Sequence, residues 1–278
     1  MNAWRQSDVH VNGVRLRTYR AGNGHAPLLF VHGFTDNALY WSRTAAALSE
    51  NWDVAAYDAR GHGASDLGGP VFDDATRAND ALAVIDALGL VKPVAIGHSM
   101  GGSTITNAAA QRPGAFRALV LEDPAWWEFP PETSAEQRQQ AAAAGMRERN
   151  NAWRDWVRQL QSVDDDKALE MVRTGSPEWG AGDAALSRDA RQQVNLAQFE
   201  HYPPAEAPWR AAIAACACPV LLLLGSERNA IIKPETADEV TRLAPGARWV
   251  QIPGAGHAIR YDQFEAYFAA LSAFLATV

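Results

Sequence analysis

The chain has 278 residues, 47% of them hydrophobic and 21% charged, proportions that exclude disordered, collagen-like and coiled-coil classes. With 25 Lys and Arg against 32 Asp and Glu, the formal net charge of −7 leaves no basic excess for a phosphate backbone, so no nucleic-acid partner is expected. Apolar runs such as 218–224 are strand-sized and far short of the roughly 20 residues that span a bilayer, so no membrane association is expected.

The first residues, Met1 to Asp8, lack the apolar stretch of a secretory signal, which gives the expectation of a cytoplasmic protein. From Val9 to Tyr19, apolar and polar residues alternate around Asn12-Gly13, a dipeptide suited to a tight turn, and this predicts an antiparallel hairpin. Apolar runs at 28–31, 54–57, 94–96, 119–121, 220–224 and 248–252 predict strands. Helical spacing fills 75–88, 103–111, 235–243 and 263–275. Strands alternating with helices imply a mostly parallel central sheet flanked by helices, an α/β architecture.

The alternation breaks after Pro124. Residues 125–213 show helical periodicity without a strand, between Pro130-Pro131 near one edge and Pro203-Pro204 with Pro208 near the other. The expected organisation is a core formed by 1–124 and 214–278 with an inserted helical cap over 125–213. Six of the ten tryptophans (Trp126, Trp127, Trp153, Trp156, Trp179 and Trp209) fall in this insert, where packing is their ordinary use. Cys216 and Cys218 are one residue apart, unfavourable for a mutual disulfide and insufficient for zinc, and are read as packing residues.

Chemistry concentrates in Gly97-His98-Ser99-Met100-Gly101, a G-x-S-x-G between a predicted strand and a predicted helix. Small residues on either side of the serine allow a sharp strand-to-helix turn that exposes Ser99 Oγ, and the helix start presents N–H groups to a developing anion. His32-Gly33-Phe34 follows another apolar strand. Acyl transfer needs two N–H donors on the oxyanion, and the backbone amides of Phe34 and Met100 are placed to supply them. His32 is read as a brace of this loop.

With these pieces the chain resembles the α/β-hydrolase superfamily, in its serine-dependent, capped esterase and lactonase-like branch. The matching segments are His32-Gly33-Phe34, Asp58 to Ser65, the turn at Ser99, and Gly254-Ala255-Gly256-His257. The resemblance covers essentially the whole chain, and the insert matches the family's cap. It implies that Asp58 to Ser65 is a structural loop, giving His62 no catalytic role. It also implies a chain order of serine, acid, histidine. Of the seven histidines, only His201 and His257 follow Ser99 at a useful distance, and His257, in a Gly-rich loop after a strand, is the expected base.

The acid has more than one candidate. The family often places an Asp after the penultimate strand, but Arg228 stands at that position, beside Glu227. Other members take the acid from the strand preceding the cap, where Glu122-Asp123-Pro124 occurs. Asp123 is the first choice, because the following proline turns the chain outward there. Glu227 and Glu122 are the alternatives.

The resulting expectation is a serine hydrolase that cleaves a carboxylic ester or lactone with a hydrophobic moiety, with Trp126, Trp127 and Phe129 roofing the substrate pocket. The chemistry calls for no metal and no organic cofactor. The expected partner is a small hydrophobic ester or lactone, and the expected state a monomer or homodimer. Hydrolysis of a C–C bond in a vinylogous diketone, or a ligand receptor with little turnover, are the alternatives. Ser99 argues against epoxide hydrolase chemistry, which needs a carboxylate nucleophile.

Overall fold

The computed structural model describes residues 4–22, 25–69, 72–126, 150–200, 209–227 and 229–278. Its first strands, β1 (Arg5–Val11) and β2 (Val14–Ala21), form the expected hairpin, with Asn12 and Gly13 at φ of 49° and 74° as a tight turn requires. There follow β3 (Pro27–Val31), β4 (Asp53–Tyr57), β5 (Val94–His98), β6 (Ala118–Glu122), β7 (Val220–Gly225) and β8 (Ala247–Ile252). They make one eight-stranded sheet in the order β1-β2-β4-β3-β5-β6-β7-β8. From β4 onward every neighbouring pair is parallel.

Helices cover both faces, as parallel strands require. These are α1 (Ser42–Leu48), α2 (Asp74–Ala87), α3 (Met100–Gln111), α4 (150–161), α5 (Asp165–Gly175), α6 (Ala181–Gln193), α7 (Trp209–Ala214), α8 (Pro234–Leu243), α9 (Ile259–Asp262) and α10 (Phe264–Leu275). Strand periodicity decides which layer each side chain joins. Leu29, Val31, Leu119, Leu121, Leu222 and Leu224 pack with α2, α3, α7 and α8, whereas Leu28, Phe30, Val120, Leu221 and Leu223 pack with α1 and α10.

Between β6 and β7 the described residues are helical and contain no strand. Leu160, Ala168, Val172, Trp179 and Ala184 of this segment form a separate apolar cluster with Tyr40 and Tyr261. The sequence pattern misses α1, whose seven residues make only about two turns after the 3-10 turn Ala38–Trp41. It also starts α3 at Ser103, whereas the helix begins at Met100: Gly101 and Gly102 have poor helix propensity, overridden here by packing. Among the described residues no helix is long and apolar enough to cross a membrane.

Candidate active site

Because β3, β5, β6 and β8 run parallel, their carboxyl ends bring Phe34, Ser99, Asp123 and His257 to one edge of the sheet. Ser99 sits between β5 and α3 at φ 52° and ψ −115°, a conformation unfavourable for a residue with a Cβ. Neighbouring contacts over-determine it. The Ser99 N–H donates to Glu122 O at 3.0 Å, and Ser99 O accepts from Ser103 N at 3.2 Å and Ala125 N at 3.0 Å. The flanking glycines follow from close approach. A Cβ on Gly101 would stand 2.1 Å from Val31 O, and one on Gly97 would stand 2.5 Å from Gly101 O.

Asp123 is fully buried, at φ 41°. Its Oδ1 accepts from Ile232 N at 2.9 Å, and its Oδ2 from Ile231 N at 2.8 Å and from His257 Nδ1 at 2.6 Å. The His257 side chain keeps 30% exposure. Its pKa is raised: desolvation acts to lower it, but the hydrogen bond and charge of Asp123, with the nearby Asp36 and Glu122 carboxylates, favour the imidazolium and prevail.

The other acid candidates are engaged elsewhere. Glu122 is fully buried, and its carboxylate accepts from the backbone N–H and Nη1 of Arg260. Glu227 is exposed and accepts from Ser226 Oγ at 3.1 Å. Consecutive residues at the end of β6 project in different directions, which separates Asp123 from Glu122. Arg228 and His201 lie outside the described residues.

Phe34 and Met100 are 3% and 1% exposed. The Phe34 ring packs edge-on to Trp153 and Phe199, and its carbonyl accepts from His62 Nε2 at 2.5 Å. His32 accepts from Ala59 N at Nε2, which leaves Nδ1 to donate to Gly33 O. Both histidines are buried braces, with His62 Nδ1 also 2.9 Å from Arg60 O, and desolvation pushes each pKa down to about 4. Asp58, in the same loop, accepts from Ala38 N, Ala64 N and Tyr19 Oη.

Trp126 is buried and stacks on Trp209, with ring centroids 4.8 Å apart and planes at 8°. Trp127 and Phe129 lie outside the described residues. Sequence reading gave no role to His98, Asp36 or Arg260, which lie directly behind these groups. The available signal was a charge, Glu122, at the end of an apolar strand, which demands a buried partner.

Residues 28–270 match the model of the alpha/beta hydrolase family. An N-formylmaleamate deformylase of Pseudomonas putida is 31% identical over 274 residues, covering 96% of this chain and 95% of its own. The crystal structure of E-2-(acetamidomethylene)succinate hydrolase superposes with a TM-score of 0.79 at 22% identity, over 99% of this chain and 100% of that one. The enol-lactonase of Burkholderia xenovorans LB400 gives a TM-score of 0.73 at 22% identity, over 97% and 100%. At such identities the structural likenesses speak to the fold alone.

Proposed function

The chain belongs to the alpha/beta hydrolase family, and from that premise we propose that it is a serine hydrolase cleaving a carboxylic ester or lactone with a hydrophobic moiety. Ser99 Oγ attacks the carbonyl as His257 Nε2 takes its proton, and Asp123 holds the imidazole in the tautomer with hydrogen on Nδ1. The amides of Phe34 and Met100 stabilise the oxyanion. His257 then protonates the leaving alkoxide, and water activated by the same imidazole releases the acid from Ser99.

The observation that carries this reading is the 2.6 Å contact between His257 Nδ1 and the buried Asp123 carboxylate, made across the sheet edge beside Ser99. Residues 125–213 act as the cap over that edge, between core portions 1–124 and 214–278. The helical segment supports this division: Leu160, Ala168, Val172, Trp179 and Ala184 cluster with Tyr40 and Tyr261 of the core, while Trp209 and Ile213 at its far end pack with the helices that cover the sheet. Trp126, which follows Asp123 closely in sequence, roofs the acyl site from the cap's entry.

The test is steady-state hydrolysis of p-nitrophenyl esters from acetate to octanoate together with an aromatic lactone, with Ser99→Ala as control. Sustained turnover lost in the variant is expected, with a chain-length optimum that sizes the apolar site. Turnover that persists in Ser99→Ala would sink the proposal. A second reading, hydrolysis of an N-formyl or N-acyl bond, is favoured by the near-full-length likeness to a deformylase. It uses the same acyl-enzyme, with a nitrogen leaving group. Higher kcat/KM for an N-formyl carboxamide than for its matched ester would select it.

A further inference from the structure

Each segment that supplies the site also sends one ionisable side chain into a single cluster behind it. His98 directly precedes Ser99, Glu122 directly precedes Asp123, Asp36 follows Phe34 by two residues, and Arg260 follows His257 by three. None of these four is more than 5% exposed.

Arg260 is the hub. Its Nη1 donates to Glu122 Oε2 at 2.7 Å and its backbone N–H donates to Glu122 Oε1 at 2.9 Å. Its Nη2 lies 3.8 Å from Asp36 Oδ2, a charge contact without a hydrogen bond. That same Asp36 oxygen accepts from Gly33 N at 3.1 Å and lies 3.1 Å from His98 Nδ1. His98 Nε2 donates in turn to the backbone carbonyl of His257 at 3.1 Å. The contacts therefore run from the base loop through the nucleophile strand and the oxyanion loop to the acid strand.

The geometry leaves little slack. A Cβ on Gly33 would stand 2.7 Å from Asp36 Oδ2 and 2.8 Å from His98 Nδ1. The guanidinium lies over the rings of Trp41, Tyr40 and Tyr261, at 4.0, 4.7 and 5.0 Å, so aromatic faces replace part of its lost hydration. Buried ion pairs contribute little net stability compared with apolar packing of the same volume. What this cluster supplies instead is a fixed geometry among four segments far apart in sequence.

We propose that Arg260 is a positioning residue for acyl transfer: through Glu122, Asp36 and His98 it holds the segments bearing Phe34, Ser99, Asp123 and His257 in mutual register. The proposal rests on the serine-hydrolase reading above, and it deepens that reading by naming what aligns the reacting groups.

The experiment follows the rate at which a fluorophosphonate probe phosphonylates Ser99, a readout that needs no knowledge of the substrate, alongside circular dichroism and kcat and KM on a p-nitrophenyl ester. Arg260→Met is expected to lower the labelling rate and kcat by about 100-fold, the scale of an ångström-sized misplacement, with KM little changed. Arg260→Lys is expected to recover most of that loss. Because Arg260→Met leaves Glu122 buried without its counter-ion, the double variant E122Q/R260M removes both charges and is expected to fold yet label as slowly. A folded Arg260→Met or E122Q/R260M protein labelled at the wild-type rate would overturn the proposal. Failure of the wild-type protein to label at Ser99 would overturn the serine-hydrolase reading itself, and the proposal with it.

Discussion

Three N–H groups converge on the buried carboxylate of Asp123: those of Ile231, Ile232 and the His257 ring. An amide at this position would present N–H groups to at least one of these donors and would no longer select the Nδ1–H tautomer. Asp123→Asn is therefore expected to lower kcat by about 10³- to 10⁴-fold in ester turnover. Glu227→Gln, at an exposed side chain, is expected to leave kcat near wild type. The raised pKa of His257 fixes the sign of the pH dependence. The base works only when neutral, so kcat/KM should fall as pH drops, with an acid-limb midpoint above the ordinary imidazole value of about 6.5. Asp123→Asn should move that midpoint down, because the carboxylate that favours the imidazolium is gone. At this scale the sequence carries a good deal. Ser99 and His257 stand in local motifs, and Asp123, the first of three candidate acids, directly precedes Pro124. Arg260 and Asp36 do not stand out, because their meaning depends on which loops the sheet brings together.

The strand-to-helix turn at Ser99 and the loops from His32 to Phe34 and Asp58 to Ser65 are each fitted by close contacts. Gly101→Ala would drive a Cβ to 2.1 Å from the Val31 carbonyl oxygen, which is backbone and has little room to yield. A loss of at least about 2 kcal/mol in urea unfolding is expected, with activity lost. Gly182→Ala, in α6 with nothing within 4 Å of its Cβ, is the contrasting control and should stabilise by about 0.5–1 kcal/mol. His32 and His62 give the loops a pH signature. Their folded-state pKa values of about 4 lie below the unfolded value, so the unfolded chain binds more protons between about 6.5 and about 4. Stability is full above that window and declines as pH falls through it. His62→Asn should flatten the decline in urea midpoint relative to wild type, and an unchanged slope would contradict the assignment. The central strands were legible because each is a short apolar run bounded by turn residues. The start of α3 was not, since Gly101-Gly102 argues against a helix locally and only close packing on β3 accounts for it.

Across the whole molecule, the parallel sheet is what turns separated motifs into one site. Its strand order puts β5 between β3 and β6, so Ser99 emerges flanked by the loops that carry Phe34 and Asp123, and the loop after β8 brings His257 to the same edge. The central part of this architecture follows from alternating apolar runs and helical spacing. The proposed division into core and cap rests in the sequence only on a break in that alternation, because helical periodicity does not say what a helix covers. The central claim is that Ser99 carries a covalent acyl group during turnover. Its most direct test is rapid acid quench of the protein reacting with a p-nitrophenyl ester, followed by mass spectrometry of the peptide containing Ser99. An acyl mass shift on that peptide is expected, appearing with the burst of p-nitrophenol and accumulating in a variant whose deacylation is slowed, and no such shift in Ser99→Ala. Sustained ester turnover without any adduct at Ser99, and undiminished in Ser99→Ala, would contradict it.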